Sequence, residues 1–334
     1  MPHTKTTLLS VIIVSFNTPK LIIDCLNSVI RDISNSKLLD NKTEVIVVDN
    51  NSNDDSVAII KEFFDKQNKE EIDIKLIQNK QNLGFARANN LALKQARGEY
   101  FLLLNSDTIV HAGSLEHLVN NLVWARNHTR VGLLASRLEN KDGSSQHQGG
   151  SLPSLWTVKN HMFMCSKIPL LKHLFCSTQF QPNWKKDSFS TPFGQIVTSG
   201  WVGGTSLLIS RDVYQKVGGL DENIFMYGED VEYCLRAKKA GFLCAIDKSS
   251  PVTHLGSASS SSSKALIGEM LGLLYVFKIH KPSWQLPFVF WLLSAGCYLR
   301  IILFGWLGLD KEKATAYRQA VSSLKTKYNK LTAK

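Results

Sequence analysis

Two glycine signatures are missing from this 334-residue chain. No G-x-G-x-x-G follows its first apolar run, and no G-x-x-x-x-G-K-[ST] occurs anywhere. Their absence disfavours a dinucleotide-dependent dehydrogenase and a P-loop enzyme. Cysteine is sparse and scattered: Cys25, Cys165, Cys176, Cys234, Cys244 and Cys297 form no C-x-x-C pair, which fits a reduced, cytosolic compartment. The first residues, Met-Pro-His-Thr-Lys-Thr-Thr, lead straight into a strand-like run without the pattern of a signal peptide. No internal repeat is visible. Acidic residues are outnumbered, 28 against 39 Lys and Arg, for a net charge of +11. Such an excess calls for an acidic partner: phosphorylated small molecules, an anionic membrane or nucleic acid. Neither a nucleic-acid-binding motif nor the aromatic interleaving of a base-stacking groove is present, so nucleic acid is not expected.

What is present is a rhythm. Leu9 to Phe16 is a continuous apolar run rich in β-branched residues, the mark of a buried parallel strand. Thr18-Pro19 reads as N-cap and first residue of a helix with an Ile22, Cys25, Leu26, Val29 face. Glu44 to Val48 is a second buried strand, followed by the polar loop Asp49 to Asp55 and a helix from Ser56 to about Gln67. Ile72 to Ile77 predicts a third strand, Asn82 to Ala96 a third helix stopped by Gly98, and Tyr100 to Leu104 a fourth strand ending in Asn105-Ser106-Asp107. Strand and helix alternate with short connections. The expected fold class is therefore α/β, a doubly wound, mostly parallel sheet flanked by helices, with sites at the carboxyl ends of its strands. The rhythm fades after about residue 136. Residues 140–195 lack clear periodicity and read as an insertion or acceptor-side region, strand-like runs resume from Gln195 to Ser210, and Ser257 to Ser263 is low-complexity and read as mobile.

Polar residues stand where such a sheet binds ligands. Asp49 ends the second strand and can accept hydrogen bonds from a ribose or base. Asp107 ends the fourth and is a candidate ligand for a hard divalent cation bridging phosphates. Each alone could equally be a loop aspartate in an Asx-turn. Glu229 and Asp230, after Gly228, open a short helix with Val231, Cys234 and Leu235 on its apolar face and Gly241 at its end. Acids in a first turn favour the positive end of the helix dipole, so this pair reads as a cap, as chemistry, or as both.

Several segments together carry more information. Ser10-Val-Ile-Ile-Val-Ser-Phe-Asn17, Val45-Ile-Val-Val-Asp-Asn-Asn-Ser52, Asn82 to Asn90, Leu102-Leu-Leu-Asn-Ser-Asp-Thr108, Gly203 to Arg211, Val217-Gly-Gly-Leu-Asp-Glu222 and Asn223 to Phe242 occur in this order. In this the chain resembles family 2 glycosyltransferases of the GT-A fold, especially the rhamnosyltransferase-like branch that builds bacterial surface polysaccharides such as O-antigen. The resemblance covers roughly residues 8–256.

The resemblance implies an inverting transferase using a divalent cation, Mn²⁺ or Mg²⁺, a nucleotide sugar donor such as dTDP-L-rhamnose and a lipid-linked saccharide acceptor. Ser15, Asn17, Asp49, Asn51, Asn82, Gly84 and Arg87 would bind the donor, with Asp49 on the nucleoside and Arg87 near the phosphates. Asn105, Ser106 and Asp107 stand where the family has its D-x-D metal motif. The first position is Asn here, so Asp107 would carry the metal, and His254 matches a histidine that completes the metal site. An imidazole tilts such a site toward Mn²⁺. Trp201, Gly203 and Gly204 would lie on the acceptor side. Asp230 falls on the family's general base, with Glu229 orienting it or binding acceptor hydroxyls, and a helix N-terminus would keep Asp230 ionised. Two other classes stay open: a non-catalytic membrane-associated scaffold of the same fold, and a nucleotidyltransferase. The latter should carry a Gly-rich, basic N-terminal loop that Ser15-Phe-Asn-Thr-Pro19 is not.

Residues 1–256 thus read as the glycosyltransferase domain, with 1–136 as its nucleotide-sugar half and 137–256 as its acceptor half. Residues 257–334 read as a helical, membrane-associating extension. Gln285 to Leu309 is apolar apart from Gln285, Ser294 and Arg300 and long enough, as a straight helix, to cross a bilayer. Asp310 to Lys334 follows with seven basic and two acidic residues. A cytosolic donor and the positive-inside rule oppose a span. The expectation is an in-plane or re-entrant element, with 284–334 on anionic headgroups at the cytoplasmic face of a bacterial inner membrane. The competing reading is a buried C-terminal helix or a homodimer interface.

Overall fold

A computed structural model describes residues 7–67, 72–165, 175–181, 186–256, 262–306 and 310–333. The chain divides into two compact units. The first comprises 1–148, 187–225 and 233–259, and the second 149–186, 226–232 and 260–334.

The first unit is built on one sheet. Strands β1 (Leu9–Ser15), β2 (Thr43–Asp49), β3 (Asp73–Gln78) and β4 (Tyr100–Asn105) pair in parallel in the order β3-β2-β1-β4. Their apolar runs are buried from both faces, and every residue of β2 is buried. β3 forms the open edge and alternates between half-buried and exposed positions, as an edge strand can. Helices α1 (Pro19–Ser34), α2 (Ser56–Asp65) and α3 (Gly84–Leu93) make the crossovers. Beyond β4 the sheet is mixed. It continues through β11 (Ser206–Ser210), β6 (Val131–Glu139), β12 (Leu243–His254), β9 (Gly194–Ser199) and β8 (Ser188–Thr191), with short β5 (Thr108–Val110) antiparallel to β12. The core joins Leu9, Val11 and Ile13 to Ile22, Leu26 and Val29 of α1 and to Leu115, Leu118 and Leu122 of α4 (Ser114–His128). Fully burying one such side chain contributes about 1.5–3 kcal/mol.

The strand positions agree with the sequence to within a residue or two, but α3 is shorter than Asn82 to Ala96. It starts at Gly84 because the Asn82 side-chain oxygen accepts from the Gly84 amide (2.9 Å), which holds Asn82 outside the helix. Thr18 precedes α1 without capping it: its hydroxyl lies 3.1 Å from Ser15 Oγ and 3.2 Å from Ser106 Oγ.

The second unit is helical, with α5 (Leu155–Met162), α8 (Ser262–His280), α9 (Gln285–Ile301), a π-helical turn (Ile302–Trp306) and α10 (Lys311–Thr332). Val158 and Met162 of α5, Leu274 and Phe277 of α8, Val289, Leu293 and Cys297 of α9 and Leu324 of α10 share one core. Arg300, read as an interruption in an apolar helix, is buried. Its guanidinium donates to the carbonyls of His161 (2.7 Å) and Met162, satisfying the end of α5. Of the low-complexity run, Ser257 to Ser261 lie outside the described residues, and Ser262 and Ser263 begin α8. The division between units falls within α7 (Glu229–Lys239): Met226–Glu232 group with the helical unit and Tyr233 onward with the sheet.

Candidate active site

Parallel register aligns three strand ends. Ser15 pairs with Asp49, and Val14 with Asn105, so the loops after β1, β2 and β4 leave the sheet side by side. Asn17 and Asn51 take left-handed backbone conformations (φ 53° and 68°), a region asparagine tolerates better than most residues. The two loops are laced together: the Asn17 amide donates to Ser52 Oγ (3.0 Å), and Asn17 Oδ1 accepts from the Asn53 amide (2.9 Å). Asp49 is buried. One of its carboxylate oxygens accepts from the Ser52 amide (3.1 Å), while the other, also buried, has no hydrogen-bond partner. A buried acceptor without a donor is costly, by about 1–3 kcal/mol or more for a charged group. It is an opening for a ligand's hydroxyl or N–H.

Asn50, between Asp49 and Asn51, is the hub of the hydrogen bonds among these loops, and the sequence reading passed over it as a site residue. Its Nδ2 donates to Asn82 Oδ1 (2.9 Å) and the Gly84 carbonyl (3.2 Å). Its Oδ1 accepts from Asn79 Nδ2 and the Leu83 amide, each at 3.0 Å. The signal was a run of polar residues directly after a fully buried strand. Gly84 (φ 77°) has no room for a side chain, since a Cβ would stand 2.2 Å from the Phe225 carbonyl oxygen, which accepts from the Phe85 amide. Arg87 is half exposed and engaged with Glu222, through the backbone carbonyl (3.3 Å) and the carboxylate (3.7 Å).

Asp107 and His254 lie 147 positions apart in the chain and are neighbours in space. β5 pairs with the end of β12 so that Thr108 faces His254, and the Leu255 amide donates to the Asp107 carbonyl (2.9 Å). His254 Nε2 lies 3.4 Å from Asp107 Oδ1. The ring's tautomer follows from Gln146. That amide uses its nitrogen to donate to the His254 carbonyl and to Asn140 Oδ1, both at 2.7 Å, so its oxygen must accept from His254 Nδ1 at 2.8 Å. With Nδ1 carrying the proton, Nε2 turns a lone pair toward a carboxylate oxygen. Two acceptors so opposed repel unless a proton or a cation lies between them. These two side chains could therefore hold a divalent ion. No group of three or more His, Cys, Asp or Glu suited to a metal occurs among the described residues, so further ligands would have to come from substrate and water. Cys25 approaches the same turn through Thr108 Oγ1 (3.5 Å), but burial pushes its thiol up to about 12 and keeps it protonated. Ser106 faces Thr18, and the Asn105 amide donates to the Thr205 carbonyl (2.9 Å). Trp201 is buried, and the Gly203 amide donates to the Gln148 carbonyl (3.1 Å).

In the helical unit, Tyr227 (φ 70°) and Gly228 (φ 102°) turn the chain into α7. Asp230 is half-buried, and its Oδ1 accepts from the Val231 amide (2.7 Å). Glu229 is buried with one carboxylate oxygen unpartnered. Burial, and then the neighbouring charge of Asp230, pushes its carboxyl up to about 8. Of the predicted acid pair, Glu229 is therefore the member that burial shifts toward its protonated form.

A family model described as glycosyl transferase family 2 matches residues 10–184, just over half of the chain. An N-acetylglucosaminyl-diphospho-decaprenol L-rhamnosyltransferase of Mycobacterium tuberculosis is 26% identical over 68% of this chain and 74% of its own length. The O-antigen biosynthesis protein RfbC of Myxococcus xanthus is 28% identical over 65% of this chain, which spans only 15% of that protein. Among solved structures, GalNAc-T7 with UDP, GalNAc and Mn²⁺ superposes with a TM-score of 0.58 at 16% identity, over 83% of this chain and 48% of that one. The mannosyltransferase PcManGT of Pyrobaculum calidifontis, with GDP-Man and Mn²⁺, does so at 0.54 and 16%, over 97% and 88%. At such identities the structures speak for the fold alone, which is the GT-A arrangement. The chain belongs to glycosyl transferase family 2 and is a glycosyltransferase.

Proposed function

We propose that the protein is an inverting, metal-dependent glycosyltransferase that moves a sugar from a nucleotide sugar to a polyprenyl-diphosphate-linked saccharide in surface-polysaccharide synthesis. dTDP-L-rhamnose is the first donor to test, because the Mycobacterium tuberculosis relative is an L-rhamnosyltransferase with a diphospho-decaprenol acceptor. A UDP-sugar is the alternative. The observation that carries the reading is the close approach of the Asp107 carboxylate and the His254 imidazole, two side chains that could hold a cation between them. A divalent ion held there would offset the charge building on the departing nucleoside diphosphate.

The chain's own residues do the rest. The unpartnered oxygen of Asp49 accepts from the nucleoside, and the Asn50–Asn82–Gly84 network holds the loop beside it. Asp230 takes the proton of the acceptor hydroxyl as that oxygen bonds to the sugar's anomeric carbon. The bond from that carbon to the diphosphate breaks, and the electron pair leaves with the phosphate oxygen. General base assistance of this kind contributes roughly 10²–10⁴ in rate. Glu229, protonated near neutrality, is able to donate a hydrogen bond.

A lipid-linked acceptor requires a membrane surface, and α9 supports one. Its inner face packs in the helical core, while Trp284, Phe288, Trp291, Tyr298 and Ile302, at helical spacing, stand more than half exposed. By length and composition Gln285–Gly305 could cross a bilayer. The two-sided packing instead favours a helix lying in the interface, with exposed Lys311, Lys313, Arg318, Lys325 and Lys330 of α10 available to anionic headgroups. We read the enzyme as peripheral or monotopic, and a cytosolic nucleotide-sugar donor would call for the cytoplasmic face. The test is a screen of dTDP-, UDP- and GDP-sugars for protection against thermal unfolding with and without Mn²⁺. Mn²⁺-dependent protection by one nucleotide family is expected. Protection by none would favour a scaffold that kept the fold.

A further inference from the structure

α8 carries glycines one turn apart, Gly268 and Gly272, and both touch the turn that leads into the acid pair. A Cβ on Gly272 would lie 2.5 Å from the Tyr227 carbonyl oxygen and 3.2 Å from Gly228 Cα. One on Gly268 would lie 2.5 Å from Tyr227 Cδ2 and 3.1 Å from the Met226 carbonyl oxygen. The approach is reciprocal, since a Cβ on Gly228 would stand 3.0 Å from Gly272 Cα. Backbone thus rests on backbone, which only glycine on both sides permits. Two turns further along α8, His280 Nε2 meets Glu232 Oε1 at 2.8 Å, and both side chains are more than nine-tenths buried. Glu232 sits three residues after Glu229, one turn into α7.

We infer that α8 is the positioning element of the acid pair: Gly268 and Gly272 seat the Tyr227–Gly228 backbone, and His280 pins the first turn of α7 through Glu232. Glu229 is thereby held out of water beside Asp230. The inference rests on the reading of Asp230 as the base. It makes the C-terminal helices part of the catalytic apparatus rather than an appended anchor. Their membrane-facing neighbour α9 shares a core with α8, so the unit offered to the lipid surface is also the unit that holds the carboxylates.

The buried carboxyl supplies a readout independent of substrate. The infrared carbonyl band of protonated Glu229, identified by its loss in Glu229→Gln, is followed against pH in the full chain. Its midpoint should lie near 8 in the wild type. In Gly272→Ala, where backbone must give way to the new methyl, water reaches Glu229 and the midpoint should fall by about one unit or more toward the ordinary carboxylate range. Gly268→Ala mainly displaces a tyrosine ring edge and should shift it less. Gly305→Ala, whose methyl would meet Ala314 Cβ at 3.3 Å in the same unit, should leave it unmoved. If Gly272→Ala does not fold, Gly268→Ala carries the test. An unshifted midpoint in a folded seat variant overturns the inference, as does an equal shift in Gly305→Ala. Retained transfer in Asp230→Asn is a different result: it removes the base assignment and leaves the seat standing.

Discussion

Asp107 and Glu229 are buried to nearly the same degree, at 6% and 7% exposure, yet their surroundings ask for opposite things. Asp107 precedes β5, whose pairing with β12 brings it to His254, and its Oδ1 lies 3.4 Å from His254 Nε2, a group that could join it in holding a cation. Glu229 begins a helix, and the Tyr227–Gly228 turn before it rests on α8 glycines. It has Asp230 for a neighbour and an oxygen with no partner, so its surroundings lack nothing but a proton. Burial alone does not decide what a carboxylate is for. The chemistry of the facing group does. On the proposed reading, the sheet end would hold a cation and phosphates, and the helix start would handle protons.

The contrast breaks most visibly at Asp230. Asp230→Asn keeps the side chain's shape but cannot take a proton, so single-turnover transfer should fall by roughly two to four orders of magnitude. Affinity for Mn²⁺ and nucleoside diphosphate should hardly change. If Asp230→Asn turns over normally and Glu229→Gln does not, the base moves by one residue. If both turn over normally, the pair is a helix cap.

Asp107→Asn tests the other side. It removes the charge while keeping an oxygen, so Mn²⁺-dependent binding of the nucleoside diphosphate, measured by calorimetry, should weaken by tenfold or more, about 1.4 kcal/mol. His254→Ala should act in the same direction. Unchanged Mn²⁺-dependent affinity in Asp107→Asn would remove the metal assignment. A triple change of Trp284, Phe288 and Trp291 to Ser should lower partitioning onto anionic vesicles by at least tenfold, since each buried aromatic contributes about 1.5–3 kcal/mol, and leave nucleotide binding intact. Vesicle binding that survives would return α9 to the dimer-interface reading.

The two regions also differ in how far they could be read from sequence. β1, β2 and β4 are buried on both faces, and continuous β-branched runs announce such strands whatever surrounds them. Asp49 and Asp107 were singled out from sequence because strand ends in this topology are where ligands go. Their partners were less so. That Gln146 fixes the tautomer of His254 depends on a contact across 108 residues, and that Asn50 organises the nucleotide loop depends on groups 29 to 34 residues away. The helical unit resisted further. Its core assembles α5 with helices more than a hundred residues downstream, so 140–195 showed no periodicity of its own, and Arg300 looked like a charge stranded in an apolar helix rather than a strut under α5. Glu229 was read as the lesser of the two acids because its burial depends on tertiary packing that its own stretch of sequence does not display.

The last expected effect is on stability, and it tests the proton on Glu229. Glu229 has a folded-state carboxyl raised to about 8 from an ordinary value of 4.5. Between those values the folded protein binds a proton that the unfolded chain has released. Stability contributed through this group is therefore greatest at low pH and is lost as pH rises from 4.5 to 8, with a limiting slope of about 1.4 kcal/mol per pH unit for one proton. Above 8 the slope vanishes. Glu229→Gln resembles the protonated acid in shape and cannot ionise, so it should flatten this part of the profile, with little change in Tm near pH 5 and a higher Tm than the wild type at pH 8. Urea unfolding from pH 5 to pH 8.5 measures it directly. A glutamine variant whose stability runs parallel to the wild type over that range would mean that Glu229 is ionised in the folded protein. The difference between the two sites would then have to lie elsewhere than in the proton.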